Sequence, residues 1–87
     1  MSRLHEYLTR WEWDLRHQEP GQVDPVVSKL EHEIITEMLT RFERYPITAL
    51  HLYGWRHFAD TYHSDLKHRV LITVCDRLLE ECDWGEK

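Results

Sequence analysis

The chain has 87 residues, of which 41% are hydrophobic and 31% charged, with a formal net charge of −5; this balance is that of a globular chain and excludes a disordered one. No apolar run approaches the roughly 20 residues needed to cross a bilayer, and the N-terminus MSRLHEYLTRWEWD lacks the unbroken apolar stretch of a signal peptide, so a cytoplasmic protein with no membrane partner is expected. The eleven basic residues are scattered along the chain, without the basic stripe that marks nucleic-acid binders. At this length a single domain spanning residues 1–87 is expected.

Leu4, Leu8, Trp11 and Leu15 recur at the spacing of one helical face, which predicts a first helix over about residues 2–17 with Ser2 as its N-cap. Trp13 falls about 180° from Leu4 on the helical wheel, among polar residues. A tryptophan there meets another part of the protein or a partner. Pro20-Gly21 marks a turn.

Asp24-Pro25 is the strongest local signal in the chain. Aspartate caps free N–H groups, and proline at the first helical position loses nothing by lacking its own. The second helix is predicted over about 25–44, with Val27, Leu30, Ile34, Ile35, Met38, Leu39 and Phe42 spread over half its circumference. Tyr45-Pro46 ends it, and Pro46 is placed to begin the third helix, predicted over about 46–60.

That third helix contains HLYGWRHFADTYH, residues 51–63, with three histidines and four aromatics. Ile47, His51, Gly54, Trp55, Phe58 and Tyr62 gather on one side of the wheel, flanked by Leu50, and read as an aromatic core strip with His51 near its middle; the other reading is a groove in which Trp55, Phe58, Tyr62 and His51 meet a partner or ligand. Gly54 on that face implies close approach of another helix or a bulky ring. Tyr53 and His57 lie along the edge, and Arg56 points away from the strip. The fourth helix, over about 65–83 with Ser64 or Thr61 as cap, carries Val70, Leu71, Val74, Cys75, Leu78, Leu79 and Cys82. Its two cysteines lie seven apart, roughly 10 Å along a helix axis and beyond disulfide reach, so both are read as reduced thiols.

Four helices, short connections and no strand pattern predict an all-α, compact four-helix bundle-like domain. The second and fourth helices are apolar over more surface than one small bundle covers, so completion by a homodimer or another protein is expected, with helix four and Trp13 leading as interface. Trp, Tyr and Arg dominate protein-binding hot spots. Trp13, Tyr53, Trp55, Arg56 and His57 are therefore the candidate partner-binding residues of a protein–protein interaction module of the adaptor, inhibitor or regulator type.

Other chemistry has less to stand on. The histidines at 51, 57, 63 and 68 are spaced by six, six and five, whereas two ligands on one helix need i+3 or i+4. A metal- or small-ligand-binding bundle remains the alternative, using His57, Asp60 and His63 near the end of helix three. A helix-turn-helix reading, with Lys67, His68 and Arg69 leading a recognition helix, meets an acidic surface farther along that helix. No nucleophile elbow and no phosphate-cradling glycine loop occurs, so neither an enzyme nor a cofactor is expected.

Overall fold

The computed structural model describes residues 3–18, 21 and 24–81, which form four α-helices with no strand among the described residues: α1 (Arg3–Arg16), α2 (Pro25–Phe42), α3 (Ala49–Thr61) and α4 (Leu66–Glu81). The expected cap Ser2, the turn residue Pro20, Cys82 and the closing Trp84-Gly85 lie outside the described residues. No helix among the described residues is long and apolar enough to cross a membrane. The chain divides into two units, Met1–Pro46 and Ile47–Lys87, each built on a pair of helices.

In the first unit α1 packs on α2. Leu4, Leu8 and Trp11 are buried along α1, as their spacing predicts, and Ile34, Ile35 and Met38 along α2. Burial of such side chains contributes roughly 1.5–3 kcal/mol each. The helices run antiparallel: the His5 ring meets the edge of Phe42 at one end, centroids 5.1 Å apart, and Glu12 meets His32 farther along. Asp24 caps α2 as expected, its carboxylate accepting the Val26 N–H at 2.9 Å and the Val27 N–H at 3.5 Å. Gly21 has φ +91°, the left-handed region open to glycine without strain, and so supplies the turn.

Glu12 is the main polar tie of this unit. Its Oε2 lies 2.8 Å from His32 Nε2 and 2.8 Å from Arg16 Nε. The hydrogen bond from His32 is the largest influence on its carboxyl, which is held below the ordinary carboxylate value; Arg16 adds to the effect and partial burial opposes it.

In the second unit α3 packs on α4, again antiparallel, since Arg56 pairs with Asp76 while Phe58 near the end of α3 meets His68 near the start of α4. Leu52 and Ala59 are buried on α3, and Val70, Val74, Cys75 and Leu78 on α4; Ile47, just ahead of α3, is buried too. Two helix starts differ from the sequence reading. α3 begins at Ala49 and not at Pro46: Thr48 is its N-cap, and its backbone N–H donates to Nδ1 of His51 at 2.9 Å. α4 is opened by Asp65 and not by Ser64 or Thr61, because the Asp65 carboxylate accepts the Lys67 N–H at 2.9 Å. In both places a nearby side chain satisfies an N–H that the start of the helix leaves open.

Candidate functional site

The face that α3 turns to its core is not the aromatic strip that the helical wheel favours. Leu52 and Ala59 are buried, and Trp55 and Arg56 half-buried beside them, while Gly54, Phe58 and Tyr62 are exposed. The inward side of α3 is thus turned by about a quarter of the helix circumference from the expected one, with Trp55 common to both. Ala59 and Leu52 are compact enough to sit against α4, and the Arg56 guanidinium reaches the Asp76 carboxylate across the pair. That ion pair joins α3 to α4, and Asp76 raises the Arg56 pKa, so the guanidinium stays charged.

His51 is accordingly not at the middle of a buried face. It is half-buried, its Nδ1 accepts the Thr48 N–H, and its ring lies 5.8 Å from that of Trp55. Gly54 likewise does not serve a close approach within the protomer: a Cβ built there meets nothing within 4 Å.

What remains outside is a continuous face made of Leu50, Tyr53, Gly54, His57, Phe58 and Tyr62. Leu50 is 82% exposed, Tyr53 59%, Phe58 55% and Tyr62 50%. None of the six carries a formal charge; between Tyr45 and Tyr62 the formally charged residues are Arg56, which pairs with Asp76, and Asp60, exposed in the last turn of α3. The other helices expose ordinary charged faces: Arg3, Glu6, Arg10 and Asp14 on α1, Lys29, Glu33, Glu37 and Arg41 on α2, and Lys67, Arg69, Arg77 and Glu80 on α4. At the C-terminal end of the face the rings cluster. Phe58 and Tyr62 have centroids 5.0 Å apart, and His68 of α4 lies 5.8 Å and 5.5 Å from them. These are the separations at which aromatic rings attract one another, so the anchors are held in place before any contact is made.

The candidate residues from the sequence fall into three groups. Tyr53 and His57 stand on this outer face. Trp55 and Arg56 sit on the inward flank, where Arg56 acts as a strut. Trp13 belongs to the first unit; it is exposed and stacked on His17 at 3.9 Å, whose Nδ1–H donates to the Trp13 carbonyl at 2.8 Å. Leu50 joins Tyr53 and His57 on the outer face, and Phe58 and Tyr62, read from the sequence first as core and second as a groove, stand there too. The signal that could have found them is the long charge-free run on both sides of one helix, since a helix apolar all round has more than one contact to make.

Other chemistry finds less support in the geometry. Among the described residues no three His, Cys, Asp or Glu side chains are grouped to hold a metal ion; His57, Asp60 and His63 form no such group, and His63 Nδ1 instead lies 2.9 Å from the Asp60 carbonyl oxygen. Burial pushes the Cys75 thiol up to about 12, with Asp76 adding to it, which leaves a neutral thiol and a poor nucleophile. An open recess of about 580 Å³ lies along α1, and the described residues that line it, among them His5, Thr9 and Trp13, all come from that helix. Small-molecule sites are concave and enclose most of their ligand; one helix face gives no such enclosure. In comparisons with known proteins, no family model, no curated protein and no solved structure matches this chain.

Proposed function

We propose that the protein is a protein-binding module, of the adaptor, inhibitor or regulator type, whose recognition element is the outer face of α3. The observation that carries this reading is the absence of charge from that exposed face, in a chain where 31% of residues are charged and every other helix exposes several of them. Isolated exposed apolar residues are ordinary; a contiguous patch marks an interaction site. With aromatic side chains covering about 150–250 Å² each and roughly half of each exposed, the face offers on the order of 400 Å² per protomer. Tyr53 and Phe58 are its anchors, Leu50 and Tyr62 extend it, and His57 supplies a ring that hydrogen-bonds at the rim.

α3 is held on α4 by the burial of Leu52 and Ala59, with the Arg56–Asp76 pair beside them. The test is affinity capture from the native host with the wild type and with the Tyr53→Ala/Phe58→Ala double variant. Both side chains are exposed, so the variant keeps its helical circular dichroism. A protein retained by the wild type and lost with the variant is the expected result; equal retention by both defeats the proposal.

A further inference from the structure

We infer that His51 is a pH-sensitive lock on the start of α3, closed while its ring is neutral and opened when the ring takes up a proton. The direction of one hydrogen bond carries this. The backbone N–H of Thr48, the N-cap of α3, reaches Nδ1 of His51 at 2.9 Å. A backbone N–H can only donate, so Nδ1 offers a lone pair and the proton of the neutral ring stands on Nε2. Thr48 Oγ1 lies 3.1 Å from the same nitrogen, and the His51 N–H returns to the Thr48 carbonyl at 3.0 Å. His51 thus takes the place that glutamate or glutamine holds in a capping box, but its acceptor disappears when a histidine ring is protonated. Ring contacts elsewhere differ. His17 Nδ1 lies 2.8 Å from the Trp13 carbonyl oxygen, His63 Nδ1 2.9 Å from that of Asp60, and His32 Nε2 2.8 Å from the Glu12 carboxylate. Each of those faces an acceptor, which a protonated ring keeps.

Protonation acts on this turn in two ways, both unfavourable. An N–H on Nδ1 would point at the Thr48 N–H, donor against donor, and leave that backbone group without its acceptor. The imidazolium would also stand in the first turn of α3, at the positive end of the helix dipole. Because the cap belongs to the neutral ring, its contribution is present above the ordinary histidine range and is lost as pH falls through it. Pro46 to Trp55 includes no formally charged residue. The charged groups on the end of α4, which lies alongside the start of α3 in the antiparallel pair, are Arg77, Glu80 and Glu81, beyond the Asp76 that pairs with Arg56. Arg77 and Glu81 pair with each other at 3.2 Å. Glu80 is exposed, so its attraction for an imidazolium is screened by solvent, whereas the cap bond acts in direct contact.

The consequence for recognition rests on the binding reading of the outer face. The locked turn carries Leu50, 82% exposed, and Tyr53 follows one turn on. Acid therefore loosens that end of the face. Phe58 and Tyr62 at the other end, clustered with His68 of α4, stay in place. Contact through Leu50 is in this way confined to neutral and alkaline solution.

Solution NMR of the wild type and of His51→Gln, from about pH 8 to about pH 5 so as to span ordinary histidine titration, tests the lock. Glutamine keeps an acceptor at the capping position and does not titrate, and circular dichroism checks that the variant is folded. At the alkaline end the ring-nitrogen shifts of His51 are expected to place its proton on Nε2. As His51 protonates, hydrogen-exchange protection of the Thr48 amide, taken against the unstructured rate at each pH, is expected to fall about tenfold in the wild type. The glutamine variant, which retains the other histidines, is expected to hold its protection throughout. A neutral ring with its proton on Nδ1, a Thr48 amide equally protected at both ends of the series, or an equal loss in the glutamine variant overturns the inference. These readouts need no partner, so the lock fails or stands apart from the host-capture experiment that decides the binding reading.

Discussion

Gly54 sits mid-helix at a position where the folded protomer makes no use of a missing side chain, and a single substitution tests this. In the protomer, Gly54→Ala adds a methyl group to open space and removes the entropic penalty of glycine, so the folded monomer gains up to about 1 kcal/mol. Urea denaturation at dilute protein measures that gain, and a loss of stability instead would show that an unrecognised contact needs the glycine. Glu12 gives a second residue-level prediction, this one dependent on pH. Its folded pKa is held below the ordinary carboxylate value, chiefly by His32, so its contribution is present above that value and is lost as pH falls through the depressed one. Glu12→Gln should cost about 0.5–1 kcal/mol in weakly acid to neutral solution, a range kept small by partial solvent screening. The gap between wild type and variant should close in acid, as pH falls through the depressed value, as read from urea midpoints across a pH series; a gap independent of pH would mean that the carboxylate charge is not what holds the two helices.

At the scale of elements, α3 decides what the sequence could and could not reveal. The faces of α1, α2 and α4 were legible because each has one apolar side and one charged side, so Leu4, Leu8 and Trp11, or Val70, Val74 and Leu78, can only turn inward. α3 is apolar on both sides. Summed hydrophobicity then points to the aromatics, whereas packing against α4 selects the smaller Leu52 and Ala59, and the Arg56–Asp76 pair between the two helices joins residues twenty positions apart. The caps were misplaced for a related reason: Thr48 with His51, and Asp65 with the Lys67 N–H, are choices among several adjacent polar residues. The site was legible in part, since Tyr53 and His57 fell on the sequence-derived edge, while Leu50, Phe58 and Tyr62 were assigned to the wrong side. Two leucines two residues apart test the corrected facing. Leu52 is fully buried and Leu50 is 82% exposed. Leu52→Ala should cost about 2–5 kcal/mol by opening a cavity, and Leu50→Ala should stay within about 0.5 kcal/mol in dilute solution. Denaturation midpoints that reverse this order would return α3 to the facing that its aromatics suggest.

For the whole molecule, charge governs how strongly the exposed α3 face acts. The net charge is −5 with histidine neutral, so acidification toward the isoelectric point of about 5.7 lowers the charge repulsion between copies. A face without charge has no local repulsion in reserve. Association should therefore rise as pH falls from neutrality, with static light scattering greatest near the isoelectric point and, at neutral pH, stronger at high salt than at low, because salt screens the same repulsion. Charge alone and the face can be separated by placing one acid in two positions. Phe58→Glu and Thr73→Glu change the net charge equally, and both sites are exposed, but only the first interrupts the outer face of α3. If that face drives association, Phe58→Glu suppresses the scattering maximum while Thr73→Glu merely moves it to lower pH. Equal behaviour of the two variants would assign the effect to net charge and remove the α3 face from it.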